Sequence, residues 1–168
     1  MSLFFTYLSS PIGPLLLAAD KTGLHEITFS KNGAPASPQP DWIEDESVFA
    51  EHIRQLLAYF AGDLETFDLP LVPQGTPFQQ KVWNELLNIP YGETISYGQL
   101  ATRIGNSNAS RAVGLANGSN PIPIIIPCHR VIGANGTLTG YGGGLERKKW
   151  LLEHEAAAMR TELAVAAR

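Results

Sequence analysis

Residues 121–132 read PIPIIIPCHRVI, a run of isoleucines between prolines that leads into Cys128, His129 and Arg130. Each proline restricts its own φ angle and disfavours the helical region for the residue before it, so few backbone conformations are open to this segment. The pattern predicts an extended, buried segment that holds Cys128 rigidly.

Cys128 is the only cysteine among 168 residues and cannot form an internal disulfide. A lone cysteine beside an apolar run is most often an inert buried thiol. His129 and Arg130 favour a reactive thiol instead, because a nearby base or cation lowers the pKa of a thiol and supplies thiolate at neutral pH. Neighbours in a regular strand point to opposite faces, so the His129 imidazole would reach the thiol through a turn or a bridging water.

Glu155 is the candidate partner of the His129 ring. The apolar pattern around Trp150 predicts a helix, and Glu155 lies on the same face as Leu151 and Leu152. A glutamate there either reaches water at the helix end or pairs with His129. A Glu155–His129 hydrogen bond would fix the tautomer of the imidazole and strengthen it as a base.

The first part of the chain predicts three short strands, at 4–8, 15–19 and 24–29, joined by turns in an antiparallel meander. A helical pattern follows over 48–60, and a proline-containing stretch over 63–75 separates it from the rest. We therefore expect an N-terminal domain with its linker over residues 1–75 and a second domain over 76–168.

Two capping boxes mark helix starts in the second domain, at Thr76–Gln79 and again at Ser96–Gln99. The second of these begins a short helix that a turn containing Gly105 connects to another helix, predicted from Ala109 to Asn117. This spacing predicts a helix-turn-helix at about 96–118.

Charge is unevenly divided along the chain, whose formal net charge is −4. Residues 1–75 hold ten acidic and three basic residues, whereas residues 76–155 hold seven basic and five acidic ones. Binding to a phosphate backbone depends on the local electrostatic field, so the second domain could bind nucleic acid.

The composition, with 44% hydrophobic and 17% charged residues, is typical of globular proteins. The absence of a basic leader or a long apolar run predicts a cytoplasmic protein without a membrane helix, and the scattered histidines predict no metal site.

Six runs together resemble the O6-alkylguanine-DNA alkyltransferases, also called methylated-DNA-protein-cysteine methyltransferases. The runs are TPFQ at 76–79, ISYGQLA at 95–101, SRAVG at 110–114, NP at 120–121, PCHRV at 127–131 and WLLEHE at 150–155. The resemblance implies an α+β fold with a small N-terminal α/β ribonuclease-H-like domain and a mainly helical C-terminal domain that contains the helix-turn-helix and the active-site segment at 127–130.

The resemblance also implies the activity. The protein would flip O6-alkylguanine, and O4-alkylthymine as well, out of double-stranded DNA bound through the minor groove, and would transfer the alkyl group to Cys128. The product is a thioether, which offers water no electrophilic carbonyl, so the reaction would be stoichiometric and irreversible. No cofactor or metal is implied, and the protein would act as a monomer; cooperative assembly on DNA is left open.

Catalytic roles follow from the same resemblance. Cys128 would accept the alkyl group, His129 would activate it through water, and Glu155 would orient His129. Asn120 would brace the active-site turn and the helix-turn-helix. Tyr97 would hydrogen-bond the flipped guanine and help neutralise its leaving group, although a tyrosine there could simply pack on the helix pair.

Pocket and DNA contacts complete the implied site. Tyr97, Val131, Tyr141 and the Gly142 backbone N–H would line the base pocket; some relatives carry serine at the position of Gly142. The DNA-binding set is Arg111, which would fill the gap left by the flipped base, and the small residues Ser110, Ala112 and Gly114, which would let their helix approach the minor groove. Taken alone, Arg111 could equally bind a phosphate.

Two other functions compete with alkyl transfer. A cysteine hydrolase could use Cys128, His129 and Glu155, but it would not need a helix-turn-helix. A DNA-binding regulator or lesion sensor could keep Cys128 as a structural residue. The glycine-rich loop at 140–144 lacks the Lys-Ser/Thr of a P-loop, so it does not indicate a nucleotide site.

Overall fold

The computed structural model describes residues 2–167, which divide into two compact units. The first unit runs to Gln74 and includes Pro121–Pro123; the second begins at Gly75 and takes in the remaining residues. The first is built on a sheet and the second is mainly helical, so the molecule has the predicted mixed architecture.

A four-stranded sheet organises the first unit. Its strands are β1 (Phe4–Leu8), β2 (Leu15–Asp20), β3 (Gly23–Phe29) and β4 (Ile43–Glu44), in the order β3-β2-β1-β4. The first three pair antiparallel, which confirms the predicted meander, and β4 pairs parallel to β1. Leu15–Ala19 of the central strand β2 is buried throughout, as expected for a strand that is covered on both faces.

Gly23 begins β3 where the proline-containing segment comes closest. Leu24 donates its backbone N–H to the Pro70 carbonyl at 2.9 Å, and Val72 donates to the Leu24 carbonyl at 2.8 Å. Gly23 has a φ of +149°, and a Cβ atom at this position would lie 2.6 Å from the Pro70 oxygen. Only glycine satisfies both the backbone angle and the close approach.

The helical part of the first unit begins at Asp45, whose carboxylate caps a 3₁₀ turn over Glu46–Phe49. Helix α1 (Ala50–Phe60) follows, with Tyr59 fully buried on one face. The buried Gln55 side chain exchanges two hydrogen bonds with the backbone of Asp68, at 2.8 and 3.0 Å. The linker is thereby bound to the first unit.

Helices dominate the second unit. They are α2 (Pro77–Leu86), α3 (Tyr97–Arg103), α4 (Ser110–Gly118) and α5 (Leu145–Ala166). Both predicted capping boxes are formed, with Thr76 and Gln79 at the start of α2 and Ser96 and Gln99 at the start of α3. Helix α4 begins and ends one residue later than predicted. Short strands β5 (Ile95–Ser96) and β6 (Val131–Ile132) pair in parallel and connect the start of α3 with the active-site segment. None of the helices within residues 2–167 has the length and apolar character to cross a membrane.

Gly23→Ala is expected to destabilise the protein by about 3 kcal/mol, because the new methyl group meets the Pro70 carbonyl at a backbone angle that is reserved for glycine. Gly33→Ala is the matched control: its φ is +77° but nothing lies within 4 Å of the added Cβ, so only a left-handed backbone cost of about 1 kcal/mol is expected. Urea unfolding followed by circular dichroism measures both. If both variants lower the free energy of unfolding by the same amount, the contact with Pro70 contributes nothing to the cost of Gly23→Ala.

Candidate active site

The segment that leads to Cys128 is buried as predicted, but the prediction that it is extended is wrong. Residues 122–131 are all buried. Ile124 has a left-handed φ of 75°, which is unusual for a β-branched residue, and Cys128–Arg130 forms a 3₁₀ turn. The prolines restrict only themselves and the residues before them, so Ile124, which precedes no proline, was left unconstrained by sequence.

Two asparagines hold this turn. The Asn117 amide donates to the Cys128 carbonyl at 3.2 Å, and the Asn120 amide donates to the Ile126 carbonyl at 2.7 Å. The Asn120 side chain also interacts with the Cys128 thiol, and the Tyr141 hydroxyl lies close to it; both lower the pKa of that thiol. The structure therefore brings Asn120 and Tyr141 to the cysteine. Sequence reasoning missed Asn117, whose place before Gly118 is that of an ordinary helix-end residue.

The Cys128 side chain is 4% exposed. Burial raises the pKa of its thiol to about 11, and the hydrogen bond from Asn120 and the charge of Lys148 offset only part of this rise. The expectation of a lowered thiol pKa is therefore wrong for the protein without DNA, because the cost of desolvating a thiolate exceeds the stabilisation from its neighbours. The thiol holds its proton at neutral pH and must lose it during any reaction.

His129 and Glu155 form a fully buried pair, with 2.6 Å between Nε2 and Oε2. Burial lowers the pKa of His129, so the ring is neutral at pH 7. Burial also opposes ionisation of Glu155, but the hydrogen bonds and charges of His129 and Arg130 outweigh it and hold the pKa of the carboxyl well below its usual range. Glu155 thus lies inside the protein and does not reach water.

These protonation states set the tautomer of His129. A carboxylate only accepts hydrogen bonds, so Nε2 carries the ring proton and donates it to Glu155, and Nδ1 keeps its lone pair. His129 Nδ1 is buried and has no hydrogen-bond partner among residues 2–167. The arrangement presents Nδ1 as a proton acceptor, which is what a general base requires.

From the sequence, Arg130 was considered only as a cation that could lower the pKa of the Cys128 thiol, and its pairing with Glu155 was not predicted. Its guanidinium contacts both oxygens of Glu155, at 2.8 and 3.1 Å, and donates to the Ile89 carbonyl at 2.7 Å. It also lies over the Tyr91 ring, 5.6 Å from the ring centroid. The Gly92 N–H completes the set with a 3.1 Å hydrogen bond to Glu155. The only signal in the sequence was that a charged residue in an apolar run needs a partner.

Lys148 was missed altogether, because it lies in the charged run ERKK at 146–149, a pattern typical of a solvated helix face. It is fully buried, and its ammonium donates to the carbonyls of Val131 at 2.6 Å and Thr139 at 2.8 Å. The Tyr97 hydroxyl donates to the same Thr139 carbonyl at 3.0 Å. Lys148 thereby connects β6 with Tyr97 and with Thr139, the residue just before the glycine-rich loop.

A groove of about 740 Å³ runs between α4 and the glycine-rich loop. Six of the remaining predicted site residues line this groove. They are Tyr97, Ser110, Arg111, Gly114, Tyr141 and Gly142. Ala112 is exposed on α4 outside this groove, and Val131 is fully buried beneath the site. Within residues 2–167, no three His, Cys, Asp or Glu side chains are grouped so as to hold a metal ion.

A buried thiol, a base oriented by a carboxylate and a helix-turn-helix in the same compact unit define a class of protein: one that binds DNA and carries a nucleophilic cysteine. Comparison with known proteins bears on this class directly. The DNA-binding domain of 6-O-methylguanine DNA methyltransferases matches residues 77–157, and the ribonuclease-like domain of the same proteins matches residues 3–73.

Individual relatives agree with the domain matches. The chain is 55% identical over 155 residues to the methylated-DNA–protein-cysteine methyltransferase of Methanosarcina acetivorans, an alignment that covers 92% of this chain and 99% of that protein. Its fold matches the crystal structure of Mycobacterium tuberculosis O6-methylguanine methyltransferase with a TM-score of 0.86 and 52% identity, covering 93% and 94% of the two chains. A structure of Mycobacterium tuberculosis OGT in complex with DNA matches with the same TM-score and identity, over 92% and 94% of the chains.

The chain therefore belongs to the methylated-DNA–protein-cysteine methyltransferases, a family of DNA repair enzymes. The resemblance stated from six short runs is confirmed, and so is the α+β fold with a ribonuclease-like first domain.

Glu155→Gln is expected to destabilise the protein by about 3–5 kcal/mol, because it leaves the Arg130 guanidinium buried without its counter-charge. The difference in free energy of unfolding between wild type and variant should have its largest value above pH 5. It should narrow as the pH falls below 4.5, the ordinary pKa of a glutamate, since the unfolded chain gains a proton there while folded Glu155 stays ionised. Unfolding curves collected from pH 7 to pH 3 measure this difference.

Glu153→Gln is the matched control for that measurement. Glu153 lies on the same helix and pairs with Lys149 at 4.0 Å, but both side chains are largely exposed. Its replacement should leave the unfolding midpoint almost unchanged at every pH. A Glu155→Gln variant as stable as this control would contradict the account of the buried network.

Proposed function

We propose that the protein extrudes an alkylated base from duplex DNA into the groove beside α4 and transfers the alkyl group irreversibly to Cys128. O6-alkylguanine is the main substrate and O4-alkylthymine a second one. The observation that carries this proposal is the orientation of His129, whose Nε2 is bound to Glu155 while its Nδ1 lies buried without a protein partner. One chain supplies every group that the reaction needs, so a monomer suffices.

Proton removal is the first chemical step. The thiol of Cys128 is protonated in the free protein, because burial raises its pKa to about 11. His129 Nδ1 accepts the thiol proton through a bridging water. The Glu155 carboxylate stabilises the imidazolium that forms, and Arg130 keeps that carboxylate ionised.

Alkyl transfer follows. The Cys128 sulfur attacks the carbon bound to guanine O6; the carbon–sulfur bond forms while the carbon–oxygen bond breaks, and the electron pair of the broken bond passes to guanine. In the balanced reaction the alkyl group moves to sulfur and the thiol proton ends on guanine. The Tyr97 hydroxyl, which donates to Thr139 in the free protein, is suited to hydrogen-bond the base as charge develops on it. Tyr141 and the Gly142 N–H form the pocket wall, and Val131 is fully buried beneath it.

DNA binding places the base. Helix α4 enters the minor groove, where Ser110, Ala112 and Gly114 are small enough for close approach. The exposed Arg111 side chain fills the space that the extruded base leaves in the duplex. A damaged pair costs less to open than an intact one, so extrusion itself favours the lesion.

Incubation with a duplex that contains O6-methylguanine should add the mass of one methyl substitution to each protein molecule, located at Cys128 by peptide mapping. Cys128→Ser and a duplex with unmodified guanine are the controls, and neither should give added mass. Loss of the lesion in excess over protein without retained mass would indicate a hydrolase. Tight binding with no loss of the lesion would indicate a sensing module.

Arg111→Ala tests whether this side chain fills the vacated space or only binds a phosphate. If it fills the space, the single-turnover rate on duplex DNA should fall about tenfold or more, and the rate on a single-stranded oligonucleotide with the same lesion should change little, since there is no stack to hold open. Arg160→Ala removes an equal charge from the exposed end of α5 and serves as the control. A loss that is equal on both substrates and disappears at low salt would indicate a phosphate contact.

A further inference from the structure

Leu115 is the most exposed large apolar side chain in the described part of the chain, at 72%. A single exposed leucine is common on protein surfaces and needs no explanation by itself. The position of this one is the unusual feature. Leu115 lies one helical turn beyond Arg111 on α4, and both side chains line the groove that faces the glycine-rich loop.

The two faces of α4 differ sharply. Val113 and Ala116 are buried on the inner face, and the Asn117 amide is bound to the Cys128 carbonyl. The outer face combines small residues with two long side chains, Arg111 and Leu115. Leu115 is thus the only large apolar group that projects from this helix.

This outer face lacks the side chains that read sequence. Proteins recognise base edges with hydrogen-bonding side chains such as those of Asn, Gln and Arg. Among the exposed residues of α4, only Arg111 has such a side chain. A helix of this composition can distinguish DNA sites by shape and by the ease of unstacking. An apolar side chain that enters the minor groove acts on stacking, because it can separate neighbouring base pairs.

We propose that Leu115 is an apolar wedge that enters the minor groove beside Arg111 and unstacks the base step next to the lesion. This inference rests on the proposed function, in which α4 enters the minor groove. Leu115 is a positioning residue: it acts on the stack, whereas Arg111 occupies the space after the base has left. Burial of its exposed surface against the bases offsets part of the cost of unstacking.

A different role for Leu115 would be contact with the extruded base inside the groove. The two roles differ in one consequence. A wedge matters only where there is a stack to open, so its removal affects duplex and not single-stranded substrate. A contact with the base matters for both substrates equally.

The experiment compares Leu115→Ala, Leu115→Met and wild type on one O6-methylguanine oligonucleotide, used as a duplex and as a single strand, with 2-aminopurine next to the lesion. At saturating protein, Leu115→Ala should transfer about tenfold more slowly from the duplex and within twofold of wild type from the single strand. Leu115→Met, which is long and apolar, should restore most of the duplex rate. The rise in 2-aminopurine fluorescence that reports unstacking should be lost with alanine and kept with methionine.

Leu163→Ala is the control, since Leu163 is a leucine of similar exposure, 67%, on α5. It should match wild type in every measurement. If Leu115→Ala lowers the transfer rate equally on duplex and single strand, or leaves the duplex rate unchanged, the wedge proposal is wrong. Transfer by the wild type would still support the proposed function in that case. Failure of wild type to transfer from either substrate would overturn the proposed function and the wedge together.

Discussion

The buried carboxylate of Glu155 is the interaction on which the rest of the site depends. It accepts hydrogen bonds from His129, Arg130 and the Gly92 N–H, which belong to the active-site turn and to the loop after α2. A buried charge without partners would cost several kcal/mol, so these three donors are required if the carboxylate is to stay ionised. The contacts that orient the imidazole also join three segments of the second unit. A change at Glu155 therefore affects both the stability of this unit and the orientation of His129.

The turn that carries Cys128 combines strain with restraint. Ile124 adopts a left-handed backbone angle that costs about 1–2 kcal/mol, and its burial together with the asparagine hydrogen bonds maintains it. The same burial raises the pKa of the Cys128 thiol to about 11, so the sulfur keeps its proton at neutral pH in the free protein. For a residue that reacts once, a protonated resting state limits unproductive alkylation, because the thiolate is the nucleophile.

Local rules predicted the local elements well. The meander depends on alternating patterns and turn residues, and both capping boxes involve residues three apart in sequence, so each could be predicted from a short window. The extended conformation predicted before Cys128 was wrong, because proline restrains only adjacent residues. The hydrogen-bond partners of Arg130 and Lys148 were not predicted, because they lie 9–41 residues away along the chain.

Sequence alone determined which residues are available for chemistry: one cysteine, a histidine beside it, a helix-turn-helix with its caps and the six runs that indicate the family. Tertiary structure decided what those residues are in the folded protein. It brought Glu155 to His129 and Arg130, buried the thiol and thereby raised its pKa, and left His129 Nδ1 as the proton acceptor. The physical reason is that desolvation and charge act through space, whereas helix caps, turns and strand patterns act along the chain.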